Sequence, residues 1–142
     1  MLYLGSDHAG FLMKESIKNF LKDNNIPFED VGTFNEKSCD YPNYAKKVCE
    51  SITSGDDIGV LVCGTGIGMC MCANKYAHIR AALCLNQKQA KMTRKHNNAN
   101  ILCLQGRNMN CERNFKILLT FLNTKFEGGR HENRIKMFSQ MI

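Results

Sequence analysis

Several features that would assign this chain to other classes of protein are missing. It has no tryptophan and only two prolines in 142 residues. No apolar run approaches the ~20 residues that a helix needs to span a bilayer, and the N-terminus lacks the basic segment and apolar core of a secretory signal. With 44% hydrophobic and 23% charged residues, the chain is predicted to be cytoplasmic, without a membrane partner, and to fold as one domain over residues 1–142.

Cysteine, by contrast, is abundant, with eight residues. Without a secretory signal, a disulfide framework is the wrong default. Cys70-Met71-Cys72 forms a C-x-C motif, but no second pair or nearby histidine completes a four-ligand zinc set. We therefore interpret seven cysteines as small buried apolar residues with free thiols. The exception is Cys63.

Charge is unevenly distributed along the chain. Residues 1–87 hold 8 Lys and Arg against 10 Asp and Glu, whereas residues 88–142 hold 11 against 3. The basic C-terminal part suggests an anionic ligand. Because the sequence has neither the aromatic set of an RNA-binding sheet nor a DNA-recognition helix, we expect no nucleic acid partner. A small phosphate is the simplest ligand, and a solvated basic face accounts for most of these lysines.

Apolar runs of strand length alternate with helix-like segments along the chain. The predicted strands are residues 1–5, 26–31, 58–63, 80–85 and 100–104. The third run is apolar without alternation, as in a parallel strand that is covered on both faces. Helices are predicted around 13–21, at 41–54, 67–76 and 87–95, around 115–122, and after 129 with an apolar stripe of Ile135, Phe138 and Ile142. This order predicts an α/β fold with a parallel sheet and helices on both faces.

In such sheets, ligands bind beyond the carboxyl ends of the strands, where the strand order reverses. If the order is 2-1-3-4-5, the reversal lies between the first and third strands. The segments that leave those strands are Ser6-Asp7-His8 and Cys63-Gly64-Thr65-Gly66-Ile67-Gly68. They are also the two short segments richest in reactive side chains, so the site is predicted between them.

The glycine-rich segment joins a buried strand to a helix. Glycines allow a sharp turn, and the free N–H groups at a helix start favour negative charge. The segment is neither a Walker loop nor a good dinucleotide fingerprint, and a plain tight turn explains the glycines alone. A thiol in this position is more readily ionised, and a thiolate beside amide donors is a base next to an oxyanion hole. Isomerisation of an aldose to a ketose through an enediolate requires that pair.

Other candidate residues have both a structural and a functional interpretation. Asp7 could cap the first helix or hold sugar hydroxyls, and His8 could bind phosphate. His96 ends a helix at the amino edge of the sheet, so a catalytic His96 would have to come from a partner subunit. The alternative is a favourable interaction of His96 with the helix C-terminus.

Three arginines are candidates for holding a phosphate. Arg107 leaves the fifth strand, and Arg130 and Arg134 share one helix face at i and i+4. Such a pair suits a phosphate, although a solvated pair is equally consistent with the spacing.

Taken together, these motifs resemble those of the type B ribose-5-phosphate isomerases, within a wider group that includes galactose-6-phosphate and allose-6-phosphate isomerases. The similarity covers nearly the whole chain. The motifs that carry it are Gly5-Ser6-Asp7-His8-Ala9-Gly10-Phe11, Asp40-Tyr41-Pro42, Cys63-Gly64-Thr65-Gly66-Ile67-Gly68, Ala73-Asn74-Lys75, His96-Asn97, Gly106-Arg107 and Gly128-Gly129-Arg130-His131 with Arg134.

The resemblance implies a three-layer sandwich with a five-stranded parallel Rossmann-like sheet, a C-terminal helix, and a homodimer with shared active sites or a dimer of two such dimers. It implies that Cys63 is the base that moves the proton between C1 and C2, that Thr65 assists, and that His96 opens the furanose ring. It implies no metal or organic cofactor. The implied sugar- and phosphate-binding residues are Asp7, His8, Tyr41, Gly64, Gly66, Ile67, Gly68, Asn97, Arg107, Arg130 and Arg134.

The residue that acts as the base differs between branches of the family. Some branches lack the cysteine and use a glutamate just after the glycine loop. Here that position holds Met69, which cannot act as a base, so Cys63 is the leading candidate. Two other functions stay open from the sequence: an isomerase of six-carbon sugar phosphates, and a phosphate- or nucleotide-binding module without activity.

Overall fold

In the computed structural model, which describes residues 1–141, strands and helices alternate as the sequence predicts. Ile142, expected in the last helix, lies outside the described residues. None of the described helices is both long and apolar enough to cross a membrane. The elements are β1 Leu2–Ser6, α1 Phe11–Asp23, β2 Phe28–Gly32, α2 Tyr41–Ser51, β3 Ile58–Cys63, α3 Ile67–Ala73, β4 Ala81–Leu83, α4 Gln87–Asn97, β5 Ile101–Gln105, α5 Cys111–Asn123 and α6 Arg130–Ser139.

The five strands form one parallel sheet in the order β2-β1-β3-β5-β4. The predicted order 2-1-3-4-5 is therefore wrong at one end, where β5 lies inside and β4 at the edge. The reason is burial: residues 101–104 of β5 are all buried, whereas the three residues of β4 are only half-buried. A short strand that is not fully covered suits an edge. The reversal between β1 and β3 is as predicted.

Both faces of the sheet are covered, which gives three layers. Side chains of a strand point alternately to its two faces, and β3 shows this clearly. Val60 and Val62 belong to one apolar cluster, which α1, α4 and α5 cover with side chains such as Ile17 and Phe121. Leu61 belongs to the other cluster, which α2 and α3 cover. This arrangement confirms the expectation that residues 58–63 form a strand buried on both faces.

Helix boundaries depend on local capping. Helix α2 begins after Asp40 with Pro42 in its first turn, as predicted, but ends at Ser51 rather than at residue 54. Helix α4 continues to Asn97 and closes at Asn98, which takes the left-handed conformation with φ 47°.

Candidate active site

The carboxyl ends of β1, β3 and β5 are tied together by backbone hydrogen bonds. The N–H of Asp7 donates to the carbonyl oxygen of Val62 at 3.3 Å, and the N–H of Gly106 donates to that of Cys63 at 2.8 Å. The N–H of Arg107 donates to Gly64 at 3.0 Å. The residues that follow these three strands are thus held around the end of β3, where the sequence predicts the site.

Cys63 is the last residue of β3, and its side chain faces the α2–α3 side of the sheet. It is 5% exposed and packs in the apolar cluster that also contains Met69 and Cys103. The exposed hydroxyl of Thr65 accepts a hydrogen bond from the N–H of Ile67 at 3.2 Å. The N–H groups of Gly68 and of Met69 lie in the first turn of α3, where helix geometry gives them no acceptor within the helix.

Gly66 makes the turn between β3 and α3 possible. Its φ is 80°, a left-handed conformation that side chains rarely adopt, and a Cβ there would lie 2.6 Å from Leu83 Cδ1 and 2.9 Å from the carbonyl oxygen of Leu104. Tyr41 covers the next glycine: a Cβ on Gly68 would lie 2.7 Å from Tyr41 Cζ. Tyr41 therefore lies beside the loop, as the family resemblance implies.

Asp7 and His8 form the β1 side of the site. Asp7 Oδ1 accepts a hydrogen bond from the N–H of Gly10 at 2.9 Å. Because Gly10 is itself the N-cap of α1, Asp7 holds the turn before the helix and does not cap its first turn. The half-buried His8 accepts a hydrogen bond at Nδ1 from the N–H of Cys39, at 3.2 Å. Cys39 was not among the residues predicted from the sequence.

Arg107 places a cation at the same edge. Its Cδ and Nη1 would lie 3.7 Å and 3.9 Å from a Cβ placed on Gly64, so the guanidinium lies over the start of the glycine loop. The structure therefore groups the following predicted residues at the carboxyl edge: Asp7, His8, Tyr41, Cys63, Gly64, Thr65, Gly66, Ile67, Gly68 and Arg107.

The remaining predicted residues lie elsewhere. His96 and Asn97 are in the last turn of α4, just before β5 begins, and Arg130 and Arg134 are exposed on α6. A five-residue strand spans ~16 Å, so the two groups are separated by the height of the sheet. Within one chain, no single sugar phosphate can contact both Cys63 and His96.

The His96 ring has two neighbours from the C-terminal part of the chain. It stacks on His131 with ring centroids 4.4 Å apart and planes at 18°, and its Nε2 lies 3.4 Å from Glu127 Oε2. Partial burial, together with the nearby His96 and Arg130, lowers the pKa of His131. The sequence motif Gly128-Gly129-Arg130-His131 assigned no role to His131. Its contact with His96 depends on the fold, because the two residues are far apart in the sequence.

These three side chains are also the group of potential metal ligands among the described residues, with ligand atoms within 4.8 Å of one another. An ion bound by an imidazole lies in the plane of that ring. Because the rings of His96 and His131 are nearly parallel, an ion in the plane of one lies outside the plane of the other. In these orientations the group does not bind one ion through both histidines.

The other cysteines differ in their surroundings. A hydrogen bond from Cys103 lowers the pKa of Cys70 to about 7, against the opposing effect of burial. Burial raises the pKa of Cys49 and of Cys84 to about 12. Cys70 lies in α3, in the cysteine- and methionine-rich segment 69–72. The sequence predicted only a packing role for its thiol, and the low pKa of Cys70 is an additional property.

The fold and this site together define a class of protein. A thiol ends a central parallel strand, a glycine loop with free amides follows it, and an arginine covers that loop at the reversal of strand order. These are the features of an α/β enzyme that stabilises an anion at the carboxyl edge of its sheet.

Comparison with known proteins gives the particular family. The sequence model of the ribose/galactose isomerase family matches residues 2–138. Ribose-5-phosphate isomerase B of Escherichia coli (strain K12) is 38% identical over 133 residues, which cover 93% of this chain and 89% of that protein. The chain belongs to the ribose/galactose isomerase family and is an isomerase.

Solved structures agree in fold over the full length. A ribose 5-phosphate isomerase from Thermotoga maritima superposes with a TM-score of 0.96 at 52% identity, covering 99% of this chain and 97% of the other. Ribose-5-phosphate isomerase B from Mycoplasma genitalium, solved with bound ribulose-5-phosphate, gives a TM-score of 0.88 at 39% identity, covering 98% and 93%. The three-layer fold with its parallel sheet is thus confirmed.

Proposed function

We propose that this protein interconverts ribose 5-phosphate and ribulose 5-phosphate in the cytoplasm, as a step of the non-oxidative pentose phosphate pathway. The observation that carries the proposal is the position of Cys63 at the end of β3, directly before a loop of amide donors whose start lies beside Arg107. The ribulose-5-phosphate complex of the Mycoplasma genitalium relative supports the five-carbon substrate. Eight free thiols suit a reducing compartment.

The chemistry assigned to this edge is proton transfer between adjacent carbons. In the open-chain aldehyde, the Cys63 thiolate removes the proton from C2, and an enediolate forms. The same sulfur returns that proton to C1 while the hydroxyl proton of O2 passes to O1, which yields the ketose. Amide N–H groups of the glycine loop and the Thr65 hydroxyl stabilise the negative charge on the two oxygens, which exists only between the two transfers.

Ring opening requires a second group. Ribose 5-phosphate is mainly a furanose, and its ring opens when the ring oxygen gains a proton while the anomeric hydroxyl loses one. We assign the proton donor to His96. Because His96 lies at the opposite edge of its own chain, the donor at each site is His96 of the partner subunit, in a homodimer with two shared sites.

Anion binding is divided in the same way. Arg107 lies beside the glycine loop of its own chain, and Arg130 and Arg134 extend from the exposed face of α6. In the proposed dimer, the pair on α6 and the neighbouring Asn97 complete the sugar-phosphate site of the other subunit. Guanidinium groups suit this role because they bind phosphate oxygens through two parallel hydrogen bonds.

The direct test compares two cysteine variants. Cys63→Ala should lower kcat for ribose 5-phosphate by at least about 100-fold, since general acid–base catalysis contributes factors of this size. Cys111→Ala, which also removes a thiol but at the start of α5, should retain wild-type turnover. Transfer of deuterium from C2 of 2-deuterated ribose 5-phosphate to C1 of ribulose 5-phosphate should vanish in the Cys63→Ala protein alone. Unchanged turnover in that variant would remove Cys63 from the mechanism.

Substrate length is measured separately. We expect kcat/KM for ribose 5-phosphate to exceed that for allose 6-phosphate or galactose 6-phosphate by at least about tenfold. The reverse order would make this protein a six-carbon isomerase with the same chemistry. Binding of all three without turnover of any would leave only a phosphate-binding module.

A further inference from the structure

Lys14 has a buried amine that the proposed reaction does not use. Its side chain is 0% exposed, and Nζ donates hydrogen bonds to Asp30 Oδ1 at 2.5 Å and to the carbonyl oxygen of Thr33 at 2.6 Å. Burial lowers the pKa of Lys14. Burial also opposes charge on Asp30, but hydrogen bonds from Lys14 and Lys18 outweigh it and lower the pKa of that carboxyl. Buried ion pairs contribute little net stability, so the pair needs another explanation.

The Lys14–Asp30 pair fixes the start of the segment 33–40, which joins β2 to α2. Asp30 Oδ1 also accepts a hydrogen bond from the N–H of Gly32 at 2.9 Å, and the N–H of Thr33 donates to the carbonyl oxygen of Ser6 at 2.8 Å. The ring of Phe34 covers the ammonium group, with Nζ 5.1 Å from its centroid. The first residues of the segment are thus anchored against the end of β1.

The same segment returns to the site near its other end. The N–H of Cys39 donates to His8 Nδ1 at 3.2 Å. A ring nitrogen that accepts a hydrogen bond carries no hydrogen, so in this arrangement the single ring hydrogen of His8 is on Nε2. The free nitrogen of the ring is then a hydrogen-bond donor, which suits a phosphate or sugar oxygen and cannot accept from a hydroxyl.

We infer that segment 33–40, anchored at Thr33 by Lys14, holds His8 in the tautomer that presents Nε2–H to the sugar phosphate. Lys14 and Cys39 are therefore positioning residues for His8. The identity of the ligand rests on the proposed function, whereas the tautomer is a property of the free protein. The two are measured separately.

The tautomer is read by long-range ¹H–¹⁵N NMR of protein labelled at its four histidines. The His8 signals are assigned by their loss in His8→Gln. We expect Nδ1 in the unprotonated position of the spectrum and Nε2 in the protonated one, at neutral pH and without ligand. A His8 ring with its hydrogen on Nδ1, or on both nitrogens, would overturn the inference while leaving isomerase activity untouched.

A matched pair of variants separates the backbone donor from the thiol of the same residue, whose Sγ lies 3.9 Å from His8 Nδ1. Cys39→Ala keeps the N–H and loses the sulfur, whereas Cys39→Pro loses the N–H. We expect Cys39→Ala to keep the His8 spectrum and Cys39→Pro to change it. The KM for ribose 5-phosphate in Cys39→Pro should exceed that in Cys39→Ala by about fivefold, the usual effect of one hydrogen bond, with similar kcat. Identical spectra and KM values in the two variants would refute the role of the backbone donor.

A second pair tests the anchor without altering the segment itself. Lys14→Met fills the same space but releases Thr33. Lys18→Met removes the ion pairs of Lys18 Nζ with Asp30 Oδ2 at 2.9 Å and with Glu15 Oε2 at 2.8 Å, but leaves the hydrogen bond from Lys14 to Thr33 in place. The His8 spectrum should change in Lys14→Met and persist in Lys18→Met. If both folded variants retain the wild-type spectrum, Lys14 has no positioning role.

Discussion

The division of the candidate site between two edges of the sheet leads to a sharp prediction about mixed dimers. Cys63 and His96 are separated by about the length of a five-residue strand, ~16 Å, and no sugar phosphate bridges them within one chain. If each site combines Cys63 of one subunit with His96 of the other, the effect of two mutations depends on whether one chain or two chains carry them.

The experiment uses dimers of two differently tagged chains, purified through both tags. In the first dimer, one chain carries Cys63→Ala and the other His96→Asn, so one of the two shared sites is intact. In the second, one chain carries both mutations and the other is wild type, so each shared site contains one defect. We expect about half of the wild-type kcat in the first dimer and at most about 1% in the second.

Turnover of ribose 5-phosphate at saturating concentration is the readout, and KM reports the intact site. The first dimer should retain the wild-type KM, because its active site has no altered residue. Each single-variant homodimer, with a defect in both sites, serves as the inactive control. Half activity in the second dimer and none in the first would refute site sharing, and would require Cys63 and His96 to act within one chain.

Three further predictions concern the loop, one ion pair and the thiols. Gly66→Ala places a side chain at φ 80° and against backbone, so the free energy of unfolding in urea should fall by about 1–3 kcal/mol and kcat should fall with it. Hydrogen bonds from the N–H of Thr53 and from the N-terminal ammonium lower the pKa of Asp57. Its carboxylate therefore stabilises the fold at neutral pH, and the stability difference from Asp57→Asn should shrink as the pH falls below about 4; a pH-independent difference in urea melts would contradict this. With a pKa of about 7, Cys70 should react with iodoacetamide at neutral pH well before Cys84, whose pKa is about 12, and peptide mass spectrometry showing the opposite order would disprove it.

Much of the fold could be predicted from periodicity and residue type. The unalternating run at 58–63 identified the buried central strand, and the reversal beside it correctly located the grouping of Asp7, His8 and Cys63. The strand order was wrong for β4 and β5 because each follows a helix in the same alternating pattern. The order of these strands in the sequence does not predict which of them is internal in the sheet. That position depends on which strand is buried when the sheet assembles.

The contacts around His8 could not be predicted from the sequence, because they join residues that are far apart along the chain. Lys14 stands on a helix where a lysine normally reaches solvent, and its burial depends on Asp30 arriving from a different strand. Cys39 acts through its backbone N–H, which every residue except proline possesses, so its side chain carries no signal. Long-range pairings of this kind become visible only when the loops are placed.

The location of Cys63 on the central strand has a consequence for motion. Strand β3 pairs with β1 on one side and β5 on the other, and Val60, Leu61 and Val62 are 0% exposed. Amides in such a strand exchange with solvent only when the whole domain unfolds. The sulfur is therefore attached to the part of the molecule that opens last, and whatever adjusts around the sugar during turnover must be the loops.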